Sequence, residues 1–135
     1  QLQLCDPCPS SWGQGGYHDY WLNESNAWIV PEWNKAANAM IKFCSIRNTR
    51  KSNKGLLEQA ARELLLSQSS DWSFILRAGT TTELAKNRIE LHLSRFWRLI
   101  HILNNEEELT ESLKVKLEQE DNIFPLIDIK DWAKF

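Results

Sequence analysis

A chain of 135 residues with 42% apolar and 25% charged residues predicts one soluble globular domain that buries about two-thirds of its unfolded surface. Its formal net charge of −2 provides no basic surface, so we expect no binding to nucleic acid. Because it contains neither an apolar run of about 18 residues nor a signal peptide, it predicts a cytoplasmic protein without a membrane span.

The N-terminal lead-in over residues 1–9 is extended, because its prolines disfavour helix. Its first residue is Gln rather than Met, which indicates a processed chain or a piece of a longer one. Cys5 and Cys8 form a C-x-x-C pair, but no second pair completes a zinc site and the prolines interrupt the helix that a redox pair needs. We therefore expect three free thiols, including Cys44, and no metal or other cofactor.

An aromatic, glycine-rich stretch follows over residues 10–23. Its four large rings, three glycines and lack of periodicity predict an ordered loop within residues 1–24. Two interpretations are open: the rings seal one end of a helical core, or they form the wall of a ligand site and stack on sugar faces or nucleobases. Asn23 begins a glycosylation sequon, which we interpret as a helix-entry cap.

Helical periodicity occupies residues 25–120. After a helical turn near Ser25, the pattern predicts five helices over 31–46, 54–68, 71–78, 82–103 and 110–120. Pro31 suits a first helical turn, and the spacings of the longest helix are typical of near-antiparallel neighbours. The apolar tail over 121–135 must pack against the bundle. The predicted fold is an all-α bundle of four to five helices with an aromatic loop and an extended tail.

Helix ends carry recognisable signals. Ser70 or Asp71 suits the N-cap of the third helix and Gly79 its C-terminal stop. Thr80 and Glu83 have the spacing of a capping box for the fourth helix. Thr110 opens the fifth.

Positions on the helix faces also predict which aromatic and histidine side chains are buried. Trp28, Trp33 and Trp97 lie in apolar seams and are expected in the core. His92 and His101 share no helix face and are expected at the surface or its boundary.

Catalytic signatures are missing from the sequence: it contains no nucleophile–base motif, phosphate-binding loop or metal-ligand cluster. The acidic runs over 106–108 and 118–121 are expected to be solvated. Only Asp19 and Asp71 stand beside Trp in contexts that suit a desolvated carboxylate, and neither is expected to act unless they meet in space.

Three segments carry a resemblance to a known family. They are S-S-W-G-x-G-G-Y-x-D-x-W-L-N over 10–23, continued by N-A-W-I over 26–29, then A-A-R-E-L-L-L-x-Q-x-S-D-W-x-F over 60–74, and N-I-F-P-x-I-D over 122–128. Together they resemble the C-terminal helical domain of glycoside hydrolase family 57 α-glucan branching enzymes over almost the whole chain. His18 departs from the pattern, since family members often carry Trp there.

This resemblance implies a domain that packs on an incomplete TIM-like barrel and helps to close its active-site cleft. Such enzymes cut an α-1,4-glucan and transfer the piece to a 6-hydroxyl with retention, which needs two carboxyl groups about 5 Å apart. In the family both come from the barrel, so we expect no catalytic residue here and no activity from this chain alone.

The same resemblance implies which residues bind substrate. Trp12 and Trp21 match aromatic positions that line the glucan cleft, and Asp71 and Trp72 match the second signature facing it. We therefore expect these residues to cluster at one end of a monomeric bundle, with an amylose- or glycogen-like α-glucan as the ligand.

An alternative belongs to a different class of protein. The chain is then a self-standing helical interaction module whose Trp side chains anchor a protein partner. An upstream coding sequence for a catalytic barrel would distinguish the two interpretations.

Overall fold

The computed structural model describes residues 4–47, 54–105 and 109–134. Within these ranges the regular structure is entirely helical, which confirms the predicted fold class. The α-helices are α1 (Ile29–Arg47), α2 (Lys54–Ser67), α3 (Ser70–Ala78), α4 (Thr82–Leu103) and α5 (Glu111–Glu120), and 3₁₀ helices cover Gln14–Gly16 and Ile129–Lys134. Each predicted helix boundary lies within about two residues of the observed one.

The core lies mainly between α2 and α4, which form the most extensive helix pair. Leu57 and Leu64 of α2 meet Ile89 and Phe96 of α4, and all four are almost fully buried. The helix α1 packs on α2, and α3 packs on α4. Because these helices supply apolar seams at helical spacing, burial of the seams stabilises the bundle.

The tail packs against the bundle as predicted, through its 3₁₀ helix. That helix contacts α1 and α2, buries Ile129 and packs the half-buried Trp132 against the core. Leu126, just before it, remains 94% exposed. The tail is therefore anchored at its C-terminal part.

Three predictions about helix ends are confirmed. Pro31 lies in the first turn of α1, where its missing N–H costs no helical hydrogen bond. Gly79 ends α3 in the left-handed region at φ 72°, and its N–H donates to the carbonyl of Ile75. Thr110 Oγ1 accepts from the N–H of Leu113 at 3.3 Å.

Two predicted N-caps are wrong by one residue. Ser69, rather than Ser70 or Asp71, precedes the first residue of α3. Thr81 precedes α4 and forms no side-chain cap hydrogen bond, so the capping box of Thr80 and Glu83 does not form. The reason is register, because Glu83 occupies the second helical position and a capping box needs the third.

The predicted core position of Trp28 is also wrong. Trp28 is 42% exposed, because it precedes the first residue of α1 and Ile29 takes the buried position instead. Trp33 and Trp97 pack against the core but are only half-buried, so they lie at its edge rather than inside it as predicted. Cys5, Cys8 and Cys44 are free thiols, and burial raises the pKa of Cys44 to about 11. None of the described helices has the length and apolarity needed to cross a bilayer.

Candidate functional site

Four rings from the aromatic loop and α3 form one group, which we call the aromatic cluster: Trp12, Tyr20, Trp21 and Phe74. Every pair is in contact, with ring centroids 5.0–6.4 Å apart. Tyr20 and Phe74 stack at 17° and 5.0 Å. Trp12 is 68% exposed, whereas the other three rings are half-buried. The cluster thus consists of a base of three packed rings, from Tyr20, Trp21 and Phe74, and the largely exposed ring of Trp12.

Glycine makes the close path of the loop possible. At Gly13 the backbone has φ 106°, and a Cβ there would lie 2.7 Å from the Tyr20 ring, so a larger residue would displace that ring. The loop closes on itself where the N–H of Ser11 donates to the carbonyl of Gly16 at 2.9 Å. The N–H of His18 donates to Ser11 Oγ at 2.7 Å.

Asn26 joins the loop to the bundle, and sequence reasoning missed it. Its side chain is almost fully buried; Oδ1 accepts from the N–H of Asn23, and Nδ2 donates to the carbonyls of Tyr20 and Ser73 at 3.2 Å each. Because Ser73 lies on α3, the amide fixes the loop against that helix. Asn23 Oδ1 accepts from the N–H of Ser25 at 2.9 Å, so Asn23 caps the turn over residues 24–28 that leads to α1 rather than α1 itself.

The two carboxylates beside Trp have different surroundings. Asp19 forms an ion pair with Arg77 Nε at 2.9 Å, with both side chains nearly half exposed, and Arg77 also lies over the Tyr20 ring. Asp71 is exposed in the first turn of α3, where the helix dipole favours its charge. Neither is therefore a desolvated carboxylate.

The structure brings Trp12 and Trp21 together, but it places Trp72 elsewhere. The Trp72 indole N–H donates to the carbonyl of Leu66 at 2.8 Å, and the ring packs against the core. Phe74 supplies the ring from α3, because residues two apart on a helix point about 200° apart. The predicted clustering of Trp72 with the loop is therefore wrong. Direct contact of any of these residues with glucan stays a prediction.

A second group, the buried polar network, lies between α2, α4 and the end of α5. Its centre is Glu63 of α2, whose Oε2 lies 2.8 Å from His92 Nδ1; both side chains are almost fully buried. The surface position predicted for His92 is wrong, because a carboxylate from the neighbouring helix satisfies the ring inside the core. His101 is exposed, as predicted.

Asp121 extends this network. Its carboxylate forms an ion pair with Arg95, which also pairs with Glu120. Asp121 is half-buried, so the expectation of a solvated acidic run at 118–121 is wrong for this residue. Burial is the main cause of the raised pKa of Glu63, and the charge of Asp121 adds to it, whereas the hydrogen bond from His92 opposes it.

Further hydrogen bonds close the network. Gln59 Nε2 donates to Glu63 Oε1 and to the carbonyl of Leu117, and Arg62 Nε donates to the carbonyl of Ile123 at 2.7 Å. The donor types of Glu63, His92 and Asp121, within 4.8 Å of one another, suit a divalent metal. Each of these side chains already has a protein partner, however. The network therefore serves to hold the C-terminal segment against the bundle.

The fold and the aromatic cluster together define a helical domain with a ring-lined surface. The chain matches the family model for "1,4-alpha-glucan branching enzyme, C-terminal" over residues 32–132. It therefore belongs to the family of C-terminal domains of 1,4-alpha-glucan branching enzymes.

Comparisons with individual proteins agree. The curated 1,4-alpha-glucan branching enzyme TK1436 of Thermococcus kodakarensis is 35% identical in an alignment of 118 residues that covers 84% of this chain and 18% of that protein. The crystal structure of TK1436 in complex with glucose and additives has a TM-score of 0.83 at 31% identity, covering 91% of this chain and 23% of that one.

Two further structures share the fold. The GH57-type branching enzyme of Pyrococcus horikoshii has a TM-score of 0.81 at 32% identity, covering 91% of this chain and 24% of that one. The alpha-amylase AmyC of Thermotoga maritima has a TM-score of 0.80 at 31% identity, covering 98% of this chain and 24% of that one. This chain thus spans about a quarter or less of the length of its relatives.

Proposed function

We propose that this chain acts as the accessory C-terminal domain of a retaining family 57 α-glucan branching enzyme, and that the aromatic cluster lines and helps to close the glucan cleft. The observation that carries the proposal is the exposed ring of Trp12 on a packed aromatic base. Family membership and the branching activity named for two of its relatives support it. The whole enzyme then works as a cytoplasmic monomer in glycogen-type biosynthesis.

The chemistry of the aromatic cluster suits this role. A flat indole face covers the apolar face of a pyranose, and a rigid loop offers that face with little loss of conformational entropy on binding. In a retaining mechanism a glycosyl-enzyme intermediate must wait for a sugar hydroxyl. Rings beside the cleft exclude water from that intermediate and so favour transfer over hydrolysis.

The catalytic carboxylates in this proposal belong to a barrel outside this chain. The retaining mechanism needs an acid/base and a nucleophile about 5 Å apart and open to substrate. Glu63 and Asp121 are close together, but both are held inside the buried polar network. We therefore expect the purified chain to form neither 1,6 linkages nor reducing ends from amylose, and activity above background would show an overlooked catalytic pair.

The decisive test uses an enzyme in which this chain follows a family 57 catalytic barrel, made by replacing the matching segment of the Thermococcus kodakarensis enzyme. Trp12→Ala and Trp21→Ala are expected to lower the transfer rate at least ~tenfold, about 1.4 kcal/mol in transition-state stabilisation, with little change in melting temperature. The hydrolysis-to-transfer ratio should rise, because water then reaches the intermediate.

Leu126→Ala is the matched control, since it removes an apolar side chain that is 94% exposed and outside the aromatic cluster. It should leave both rates unchanged. If Trp12→Ala and Trp21→Ala instead lower the melting temperature and transfer falls only in proportion to unfolding, the rings are a structural plug and the cleft-lining role is wrong.

A further inference from the structure

A groove with its own residues lies on another side of α3, and we call it the Trp28 groove. Its volume is about 370 Å³, within the roughly 300–1,000 Å³ typical of small-ligand sites. Its lining consists of one indole ring, one aliphatic side chain and four polar side chains: Trp28, Leu76, Thr82, Glu83, Lys86 and Glu90. None of these residues belongs to the aromatic cluster.

Two helices and the turn before α1 build the groove. Trp28 comes immediately before α1, and Leu76 lies on α3, two residues after Phe74. Because residues two apart on a helix point in nearly opposite directions, α3 presents Phe74 to the aromatic cluster and Leu76 to the groove. Along α4, Glu83, Lys86 and Glu90 follow one another at the spacing of a single helix face.

Three of the polar side chains of the groove are charged, and all three lie on α4. Glu83, Lys86 and Glu90 have the i,i+3 and i,i+4 spacings at which helix ion pairs form. In the part of the chain that the structure describes, no ion pair or hydrogen bond engages any of the three charged groups. The Trp28 ring beside them is 42% exposed. The groove therefore combines an open aromatic face with free donors and acceptors.

We propose that the Trp28 groove is a second carbohydrate-binding site, which holds a segment of neutral α-1,4-glucan apart from the cleft. A sugar matches the lining because it offers an apolar face to the indole, hydroxyl donors to the carboxylates and hydroxyl acceptors to Lys86. Two carboxylates against one ammonium disfavour an anionic ligand, and three uncommitted charged groups disfavour a purely apolar one. The choice of α-glucan rests on the proposed function.

A second site for the same glucan chain would let the domain retain long substrates. When one part of a long glucan is held in the groove, the local concentration of the same chain at the aromatic cluster rises. Each contact alone is weak, and together they retain long chains in preference to short ones. The groove thus acts in substrate retention and has no part in bond cleavage.

The test uses this chain, titrated with maltoheptaose up to about 10 mM, which occupies most of a site with a Kd of about 1 mM. Backbone and indole N–H resonances are followed by two-dimensional NMR. Saturable shifts are expected at Trp28, Glu83, Lys86 and Glu90. Trp28→Ala should weaken binding at the groove at least ~tenfold, and the double variant Glu83→Gln/Glu90→Gln should weaken it less.

Two controls accompany these variants. Leu84→Ala changes a half-exposed α4 residue outside the groove lining and should leave the groove affinity unchanged. Trp12→Ala changes the aromatic cluster and should leave the shifts at Glu83 and Glu90 intact. Because Trp28 is exposed, its replacement is expected to preserve the fold, and the dispersion of the remaining resonances verifies this.

The outcomes separate this inference from the proposed function. If the groove resonances do not respond to maltoheptaose, or respond equally to tetramethylammonium at the same concentration, the glucan site in the groove is wrong. Loss of transfer in Trp12→Ala of the barrel-linked enzyme would still support the proposed function. Conversely, groove binding together with transfer that does not depend on Trp12 would support the groove and contradict the cleft-lining role.

Discussion

The aromatic cluster and the buried polar network both gather unusual side chains where helices meet, yet they differ in what they leave open. In the network, Glu63 is paired with His92 and Gln59, and Asp121 is paired with Arg95. In the aromatic cluster, three rings form a base and Trp12 remains 68% exposed. One group is closed by its own partners, and the other has a free face.

Energetics explain this difference. A buried carboxylate without a partner costs several kcal/mol, so the chain can bury Glu63 only with a complete set of donors around it. A ring that stacks through one face loses little when its other face meets water. A site for a sugar is therefore expected where rings are open, and the network is expected to serve stability.

Among the substitutions that test this difference, Glu63→Ala should have the largest effect on the free energy of unfolding. Removal of the carboxylate leaves His92 and Gln59 buried without their partner and opens a cavity. The free energy of unfolding is expected to fall by about 3–5 kcal/mol, measured by urea denaturation at pH 7. A loss below about 1 kcal/mol would show that the network contributes little to stability.

Glu63→Gln is the matched control, because it keeps the shape of the side chain and one acceptor oxygen but cannot ionise. Since burial raises the pKa of Glu63, the part of its contribution to stability that comes from proton binding is fully present below the ordinary glutamate pKa of about 4.3 and is lost as pH rises through the raised value. Relative to wild type, the Gln variant should therefore become more stable as pH rises through that window. An unchanged difference would contradict the raised pKa.

Asn26→Ala should have the next largest effect, and it acts on the aromatic cluster. The substitution leaves the carbonyls of Tyr20 and Ser73 without their shared donor, which costs about 1–3 kcal/mol. The near-ultraviolet circular dichroism of the cluster should weaken as well, because the loop is no longer fixed against α3. Asn34→Ala, at an exposed position of α1, is the control and should change neither quantity.

Much of the fold was predictable from sequence, because apolar seams at helical spacing, the helix stop at Gly79 and the N-cap at Thr110 are local signals. The presence of Trp12 and Trp21 at one site was predictable from the aromatic loop. The contacts of Phe74 and Asn26 were not, since both depend on how α3 is rotated against the loop. The pairing of Glu63 with His92 joins two different helices, so the periodicity within either helix does not predict it.

The smallest effect should come from the ion pair between Asp19 and Arg77, which links the aromatic loop to α3. Both side chains are nearly half exposed, so water and salt screen their attraction. Asp19→Asn and Arg77→Met should each reduce the free energy of unfolding by no more than about 1 kcal/mol. In a double-mutant cycle the coupling energy should be about 0.2–1 kcal/mol and should shrink in 1 M salt, where the Debye length is about 3 Å. A coupling energy above about 2 kcal/mol would show that the loop depends on this charge pair rather than on Asn26 and the stacked rings. The open face of Trp12 would then be held by electrostatics and should move with ionic strength, whereas a face held by packing and a buried amide should not.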